Sequence, residues 1–409
     1  MALYAFDGTW NEDEIDDATD TNVVRFRELY AGADFEYLSG VGTRFGAIGR
    51  ALGGLFGAGG HSRIDEMYDL LCENWNNGDR DIDLIGFSRG AALAVHFANK
   101  VAKKGIKQKD GTTVVPTIRF LGVWDIVASF GLAFDNVLPF QEINLGWNVD
   151  KVAANVEHCF HAMALDERRE TFGVTRLDPE HRLGNVTELW FRGVHSDVGG
   201  GNGNVTRSNI ALNWMLDNAR ECKVPLNESR AKDARYSACD PAAPISENRD
   251  PQRDKRREVL PDDPWHPTAR PKELGIDESH TCRVLARLHY NWSGVRFVAG
   301  ERYAISADPD QQWLDGKIEC NADGWSSDQL KGFQKPVVKA AESHRRVPDA
   351  NWFKLCGAIG DEEDELFAIG TKTEYQPESD GDLYLFANDL KSRYGNNDGF
   401  LDVTVTRIG

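Results

Sequence analysis

The chain has 409 residues, with 47 basic and 65 acidic side chains and a formal net charge of -18 at pH 7. That length predicts two or three domains, and 41% hydrophobic with 27% charged residues excludes wholesale disorder and fibrous repeats. The negative charge also argues against DNA or RNA as a partner, because non-specific binding rests on Lys and Arg neutralising phosphates.

In chain order, the first half alternates strand-like and helix-like runs. Leu3–Phe6, Asp83–Gly86, Arg119–Trp124 and Thr187–Val194 read as strands. Arg63–Trp75, Ala91–Lys103, Val152–Arg169 and Asn209–Arg220 carry apolar residues at helical spacing. Such alternation predicts an α/β fold, with a mostly parallel sheet, helices on both faces and chemistry at the carboxyl ends of the strands. Residues 240–272 are rich in proline and charge and read as an extended surface loop or linker. Beyond residue 280 come short alternating runs, Arg283–Tyr290, Val295–Phe297, Tyr303–Ser306, Phe367–Ile369, Asp382–Phe386 and Leu401–Thr406, parted by Gly, Asn and Asp. They predict an all-β sandwich over 281–409 behind a catalytic domain of 1–280.

No apolar run reaches the roughly eighteen residues that span a bilayer, and no basic n-region follows Met1, so the chain is expected to be soluble and made in the cytoplasm. Seven cysteines without a CxxC pair indicate neither a disulfide framework nor a zinc cluster.

The sharpest local signal is Gly86-Phe87-Ser88-Arg89-Gly90, set between the strand Asp83–Ile85 and the helix opening at Ala91. A G-x-S-x-G in that context is a nucleophile elbow, which lifts Ser88 above the sheet beside the positive end of a helix. A serine nucleophile needs a base within reach and an acid to orient that base, here in the order Ser, Asp, His. Asp125 and His195 both end strands, so they project at the same sheet edge as Ser88. Ser88 is the candidate nucleophile, His195 the general base and then acid, and Asp125 the orienting carboxylate. Asp197 is the alternative acid, although its closeness in sequence places it poorly to face the same ring. For the oxyanion, one donor is the N–H of Arg89 and the second comes from the turn at Gly8. His158 and His161, one helical turn apart on the expected helix, are able to bind a metal but read as scaffold. The glycine-rich stretch 46–60 lacks the Lys-Ser or Lys-Thr of a P-loop. With the apolar stretch 130–140, it suits either a flap over an acyl chain or plain core packing.

These residues carry a resemblance. Phe6-Asp7-Gly8-Thr9-Trp10-Asn11, Gly40-Val41-Gly42-Thr43, the elbow, Gly122-Val123-Trp124-Asp125, Ala164–Arg169 and Trp190–Gly201 occur in the order found in the catalytic domain of type VI secretion phospholipase effectors and their bacterial relatives. The likeness spans about residues 1–290. It implies an α/β-hydrolase fold and esterase, lipase or phospholipase activity on an ester or phospholipid, with Ser88, Asp125 and His195 at matching positions. It also implies export as an effector and a partner in the secretion apparatus.

Near the C-terminus, Asp389, Asn396 and Asn397 offer three oxygen-bearing side chains, with the carbonyl of Arg393 between them. Calcium takes six to eight hard oxygen ligands of these kinds, while an Asn/Gly-rich hairpin turn would use the same residues. Leu383–Asp389 and Tyr394–Gly399 resemble the calcium-dependent galactophilic lectins of bacteria, and weaker likeness extends over 283–409. That resemblance implies a further calcium ligand near Asp315 or Gly316, and a glycan or glycolipid as ligand. The sugar-contacting histidine and glutamine have no counterpart, and Lys391 and Arg393 put positive charge beside the turn. Two functions stand: a serine acyl hydrolase with a calcium-binding sandwich, and a non-catalytic calcium-dependent carbohydrate-binding protein on a hydrolase scaffold. The intact Ser88, Asp125 and His195 favour the first.

Overall fold

The computed structural model describes residues 2–8, 19–32, 34–38, 55–128, 149, 151–248, 255–331, 334–361, 363 and 365–409. The chain divides into two compact units, Met1–Pro241 with Ser246–Ala269, and Ala242–Ile245 with Arg270–Gly409.

The first unit is built on β1 (Ala2–Phe6), β2 (Asp34–Leu38), β3 (Ile82–Phe87), β6 (Ile118–Trp124), β7 (Val156–Ala164) and β8 (Val186–Phe191), with a small hairpin of β4 (Ile106–Lys107) and β5 (Thr113–Val114) beside them. The sheet order is β2-β1-β3-β6-β7-β8, and every pairing is parallel. The chain leaves β1 toward β2 and returns on the other side through β3, so the order reverses there and the carboxyl ends open into a crevice. Both faces are covered. The helices α2 (Leu55–Asn76) and α3 (Ser88–Lys104) lie over one apolar cluster, containing Ile64, Leu71, Leu93, Phe97, Tyr4, Leu84 and Leu121. On the other face, α1 (Asn22–Leu29) and α5 (Val205–Glu221) pack Phe26, Leu212 and Met215 against Leu3, Ile85, Phe120 and Trp124. Two short helices, α4 (His195–Gly199) and α6 (Ala234–Ser237), complete the unit. The expected α/β class with its mostly parallel sheet is what the structure has.

Two expectations change. Val152–Arg169 is not a helix: Val156–Ala164 is the fifth strand of the sheet, between β6 and β8. Its second half, His161–Ala164, is buried at every position, so the period-2 alternation is lost there and the apolar run mimics a buried helix. Residues 240–272 are not simply a linker either, because Ser246–Ala269 belongs to the first unit. Trp190 donates from Nε1 to Asp263 at 2.9 Å and Arg176 forks onto the same carboxylate at 3.0 and 2.9 Å. His181 adds a contact at 3.2 Å.

The second unit is a sandwich of two mostly antiparallel sheets. One holds β10 (Ser279–Leu285), β12 (Tyr303–Ala307), β13 (Trp313–Asp315), β14 (Ile318–Cys320), β17 (Lys372–Tyr375) and β19 (Asn397–Arg407). The other runs β16 (Glu365–Ala368), β15 (Leu355–Ile359), β18 (Gly381–Ala387), β11 (Asn291–Phe297) and β9 (Lys272–Glu273). Alternate residues of both sheets, among them Val295, Phe297, Leu383 and Leu385 on one and Ile305, Trp313, Leu401, Val403 and Val405 on the other, meet in one apolar cluster. A helix, α7 (Gln334–Ala341), interrupts the strands. Strands β9, β13, β14, β15 and β17 were not read from the sequence; β15 is buried at all five positions and so lacks the alternation that marks β11 and β12.

Candidate active site

Ser88 sits at the first position of α3 with φ of 58°, in the left-handed region that an L-residue other than Gly, Asn or Asp rarely adopts. The glycines around it are there for space. A Cβ on Gly90 would lie 2.3 Å from the carbonyl oxygen of Phe6 and 2.4 Å from that of Asp7, and one on Gly86 would lie 2.7 Å from Ala91 Cα. The start of α3 is thereby pressed against the backbone leaving β1. Gly90→Ala has no side chain that can yield, so the backbones must part. The expected cost is about 3 kcal/mol, read as a fall in melting midpoint of roughly 6 °C or more. An unchanged midpoint would refute this packing account of the second elbow glycine.

Asp125 follows β6, and it too has positive φ, 42°. It is wholly buried, and every lone pair that faces protein is used. Oδ1 accepts from the Ala164 amide at 2.8 Å and from Arg257 Nη1 at 2.5 Å. Oδ2 takes His195 Nδ1 at 2.5 Å and Arg257 Nη2 at 2.8 Å. Burial alone would push this carboxyl up, but the Arg257 guanidinium and the hydrogen bond with His195 hold it well below the usual carboxylate range.

His195 opens α4 just after β8. Its ring lies against Phe87, the residue before Ser88, with centroids 4.6 Å apart, and edge-on to Phe172 at 5.0 Å. Its backbone amide donates to Glu167 Oε2 at 3.2 Å, and Glu167 is held by the Nε and Nη2 of Arg169 at 2.8 and 2.9 Å. With Nδ1 committed to Asp125, Nε2 is the nitrogen left for proton transfer. Burial lowers the imidazole's pKa, which favours the neutral base. The structure therefore gathers Ser88, Asp125 and His195 at the carboxyl edge of one sheet.

Other candidate residues sort differently. Asp197 does not serve the ring: its Oδ1 takes Asn202, Asn204 and the Ser246 hydroxyl at 2.8, 3.0 and 2.7 Å. Its Oδ2 takes the amides of Val194 and Ser246 at 3.1 and 2.8 Å, so it pins α4 to Ser246. The Gly8 amide is engaged within its own turn, donating to Asp7 Oδ1 at 2.7 Å, which takes it from the oxyanion role expected of it. Asp7 is a turn residue, its Oδ2 accepting from Thr21 and Tyr37, each at 2.8 Å. Arg89 lies in the first turn of α3, and burial brings its guanidinium down to about 10.

His158 and His161 lie on β7 rather than on a helix. His161 Nδ1 faces Glu188 at 2.9 Å and its Nε2 accepts the Ile126 amide at 3.2 Å, which assigns a neutral ring with the proton on Nδ1. That bond steadies the turn directly after Asp125. Burial would raise Glu188, but His161, the Leu177 amide and Arg176 bring it down to about 2. The stretches 46–54 and 130–140, read as flap or core, lie outside the described residues.

Sequence reasoning missed Arg257. It stands in the charged run Lys255-Arg256-Arg257, which has the composition of a solvated loop, and only the three-dimensional placement distinguishes it from its neighbours.

In the second unit, Asp389 Oδ2 accepts from Asn397 Nδ2 at 3.2 Å and Asp315 Oδ1 from Asn396 Nδ2 at 3.0 Å. The Arg393 carbonyl accepts the Asn396 amide at 3.2 Å, and the Gly316 amide donates to the Asn396 carbonyl at 3.2 Å. So Asp315, Asp389, Arg393, Asn396 and Asn397 do share one corner. Asn397 Oδ1 is buried there without a hydrogen-bond partner. Burial pushes Asp389 up to about 6, and the charge of Asp315 adds to it. Asp315 is likewise raised by burial. Among the described residues, no group of three or more His, Cys, Asp and Glu side chains could hold a metal, so any cation here would rely on amide and carbonyl oxygens as well.

The reversed strand order and the elbow define the class: the first unit is of α/β-hydrolase type. The chain belongs to the family described as the catalytic domain of T6SS phospholipase effectors, Tle1-like, matched over residues 3–118 and 107–218, more than half of its length. No curated protein matches it. Among solved structures, an uncharacterized protein from Pseudomonas aeruginosa is similar at 21% identity over 59% of this chain, with a TM-score of 0.42. The chain spans 49% of that protein, about half. The N-terminal domain of EclA, a PllA-like lectin, is similar at 21% identity over 31% of this chain and 95% of its own, with a TM-score of 0.23. The Tle1 effector bound to the VgrG spike of a type 6 secretion system is similar at 16% identity, over 97% of this chain and 70% of that one, with a TM-score of 0.36. Among the described residues, no helix is long and apolar enough to cross a membrane.

Proposed function

We propose that the first unit hydrolyses carboxylic esters of lipids, phospholipids foremost, through a Ser88-His195-Asp125 triad. The observation that carries this reading is the 2.5 Å contact between His195 Nδ1 and the buried Asp125, at the sheet edge where the strained Ser88 stands. Membership of a phospholipase effector family supports the lipid substrate. Ser88 Oγ attacks the ester carbonyl while His195 Nε2 takes its proton, and Asp125 stabilises the imidazolium. The oxyanion of the tetrahedral intermediate lies at the positive start of α3, where the Arg89 amide is the proposed donor. His195 then protonates the leaving alcohol, and water, activated by the same imidazole, releases the fatty acid and restores the serine. The same family description supports export through a secretion apparatus and a partner within it.

The test is a fluorophosphonate reagent with p-nitrophenyl esters and phospholipid vesicles as substrates. A single adduct mapped by mass spectrometry to Ser88, with matching loss of hydrolysis, is expected. Full activity in the fully labelled protein would refute the triad.

For the second unit we propose calcium held by Asp389, Asn397 and the Asp315 corner, the buried Asn397 Oδ1 supporting the fit. Bound calcium would offset the mutual repulsion of the Asp315 and Asp389 carboxylates. The pH dependence has a definite sign. Burial and the charge of Asp315 raise the Asp389 carboxyl to about 6, above its unfolded value, so the cation-free fold loses stability as pH rises through that interval. Calcium binds the carboxylate form and offsets that loss. Calcium against chelator should therefore raise the melting midpoint of the sandwich strongly at pH 8 and weakly at pH 5. An unchanged midpoint at both would remove the site.

A further inference from the structure

We infer that Arg257, carried by the 255–269 segment, is a positioning residue for the hydrolytic reaction, the clamp that fixes the carboxylate of Asp125 toward His195. The inference rests on the triad reading above. The geometry is a fork on a fork: Nη1 and Nη2 of Arg257 meet the two oxygens of Asp125 at 2.5 and 2.8 Å. The same two nitrogens also reach the carbonyls of Ala164 at 2.5 Å and Phe172 at 2.7 Å. Its side chain is only 4% exposed, against 0% for Asp125. A planar guanidinium with four such bonds has no rotational freedom left, so the carboxylate plane is set from behind by Arg257 and from the side by the Ala164 amide. Only one orientation of Oδ2 remains, and it points at Nδ1. Phe172, whose carbonyl Arg257 holds, presents its ring to the imidazole. The clamp therefore sets both the acid and one wall of the base.

The segment is anchored well enough to do this. Asp263, six residues on, accepts from Trp190, Arg176 and the Leu260 amide at 2.8–3.0 Å, and the His266 amide donates to the Trp190 carbonyl at 2.9 Å. Lys255 donates its amide to the Arg168 carbonyl at 2.8 Å on the other side. Arg257 is thus pinned from both directions to the walls of the site.

The clamp also has an electrostatic consequence. Among the described residues, the charged groups facing the imidazole are Asp125 after β6, Glu167 with its partner Arg169 after β7, and Arg257; Asp197, on α4 itself, is bound up with Asn202, Asn204 and Ser246. Asp125 and Glu167 favour the imidazolium, whereas Arg257 opposes it. Without Arg257, one buried negative charge would no longer be balanced, and His195 would hold its proton to higher pH.

The experiment compares Arg257→Gln and Arg257→Lys with the wild-type chain in kcat, KM and the pH profile of kcat/KM on a short p-nitrophenyl ester, with Ser88→Ala as the blank. For Arg257→Gln, kcat should fall roughly ten- to a hundredfold with KM changed by less than about twofold. Its acid limb should move up by about one pH unit. Arg257→Lys keeps the charge and lacks the fork, so its limb should stay with the wild type while kcat falls. A purely structural arginine would lower the amount of folded protein without moving the limb. If Arg257→Gln does not fold by near-UV circular dichroism, the limb and kcat of Arg257→Lys decide. Profiles and kcat matching the wild type in the folded variants overturn the clamp while leaving the triad standing. Hydrolysis in Ser88→Ala at the wild-type rate overturns the triad and the clamp together.

Discussion

Ser88→Ala is expected to lose ester hydrolysis by at least about a thousandfold in kcat, with an unaltered fold and an unaltered response to calcium. The size follows from what is removed. Without Oγ there is no acyl-enzyme, and the residual rate comes only from substrate binding and the donor at the start of α3. A thousandfold is about 4 kcal/mol of transition-state stabilisation, well within what nucleophile removal costs in acyl-transfer enzymes. The fold should not change, because Ala carries the same Cβ as Ser at φ of 58°, so the strain of the elbow is retained. Among the described residues no hydrogen bond of the Ser88 side chain competes with this account, and its carbonyl accepts the Val127 amide at 3.3 Å. The measurement is initial rates on p-nitrophenyl esters and phospholipid vesicles, alongside a melting curve. Activity within tenfold of the wild type would mean that the elbow is a packing device and that the chemistry lies elsewhere.

How much of this was legible depends on how local each signal is. The elbow was readable because glycine spacing, a strand before it and a helix after it lie within about ten residues. Asp125 and His195 were readable as strand ends, because a parallel sheet brings all its carboxyl ends to one edge. β7 was misread because its second half, His161–Ala164, is buried at every position and shows no alternating face, and that error put His158 and His161 on a helix that does not exist. Arg257 could not be read at all. Nothing in Lys255-Arg256-Arg257 marks which guanidinium turns inward, since the cause is a carboxylate 132 residues earlier. The same reasoning applies to Gly8, expected as an oxyanion donor, and to Asp197, the less favoured acid. Gly8 and Asp197 stand in the right turns, but their hydrogen bonds are spent locally, and such spending is visible only in three dimensions. In the second unit, Asp389, Asn396 and Asn397 were legible as one turn, whereas Asp315, about 80 residues away, was placed beside them only through family likeness.

Asp125→Asn separates catalysis from stability. Asp125 accepts from four donors, Ala164 N, both Arg257 nitrogens and His195 Nδ1. An amide has one oxygen to offer and an NH2 that donates, so one side must face a donor with a donor. If Nδ2 faces the imidazole, His195 must accept at Nδ1 and carry its proton on Nε2, the tautomer that cannot take the proton from Ser88. The expected fall in kcat is on the order of ten-thousandfold. Stability falls as well, because Arg257 is left buried without its counter-charge, at a cost of about 3–5 kcal/mol. The pH dependence follows. Asp125 is held below its unfolded pKa, so its contribution is present above about pH 4 and is lost as pH falls through the folded value. Asp125→Asn lacks that acid-side loss, so its melting midpoint should fall less steeply with pH below 4 than that of the wild type. Asp125→Asn with Arg257→Gln removes both charges and should regain much of the lost stability while remaining inactive. A double variant no more stable than Asp125→Asn alone would show that the cost lies in packing rather than in the orphaned guanidinium. A kcat within tenfold of the wild type in either would take Asp125 out of the reaction.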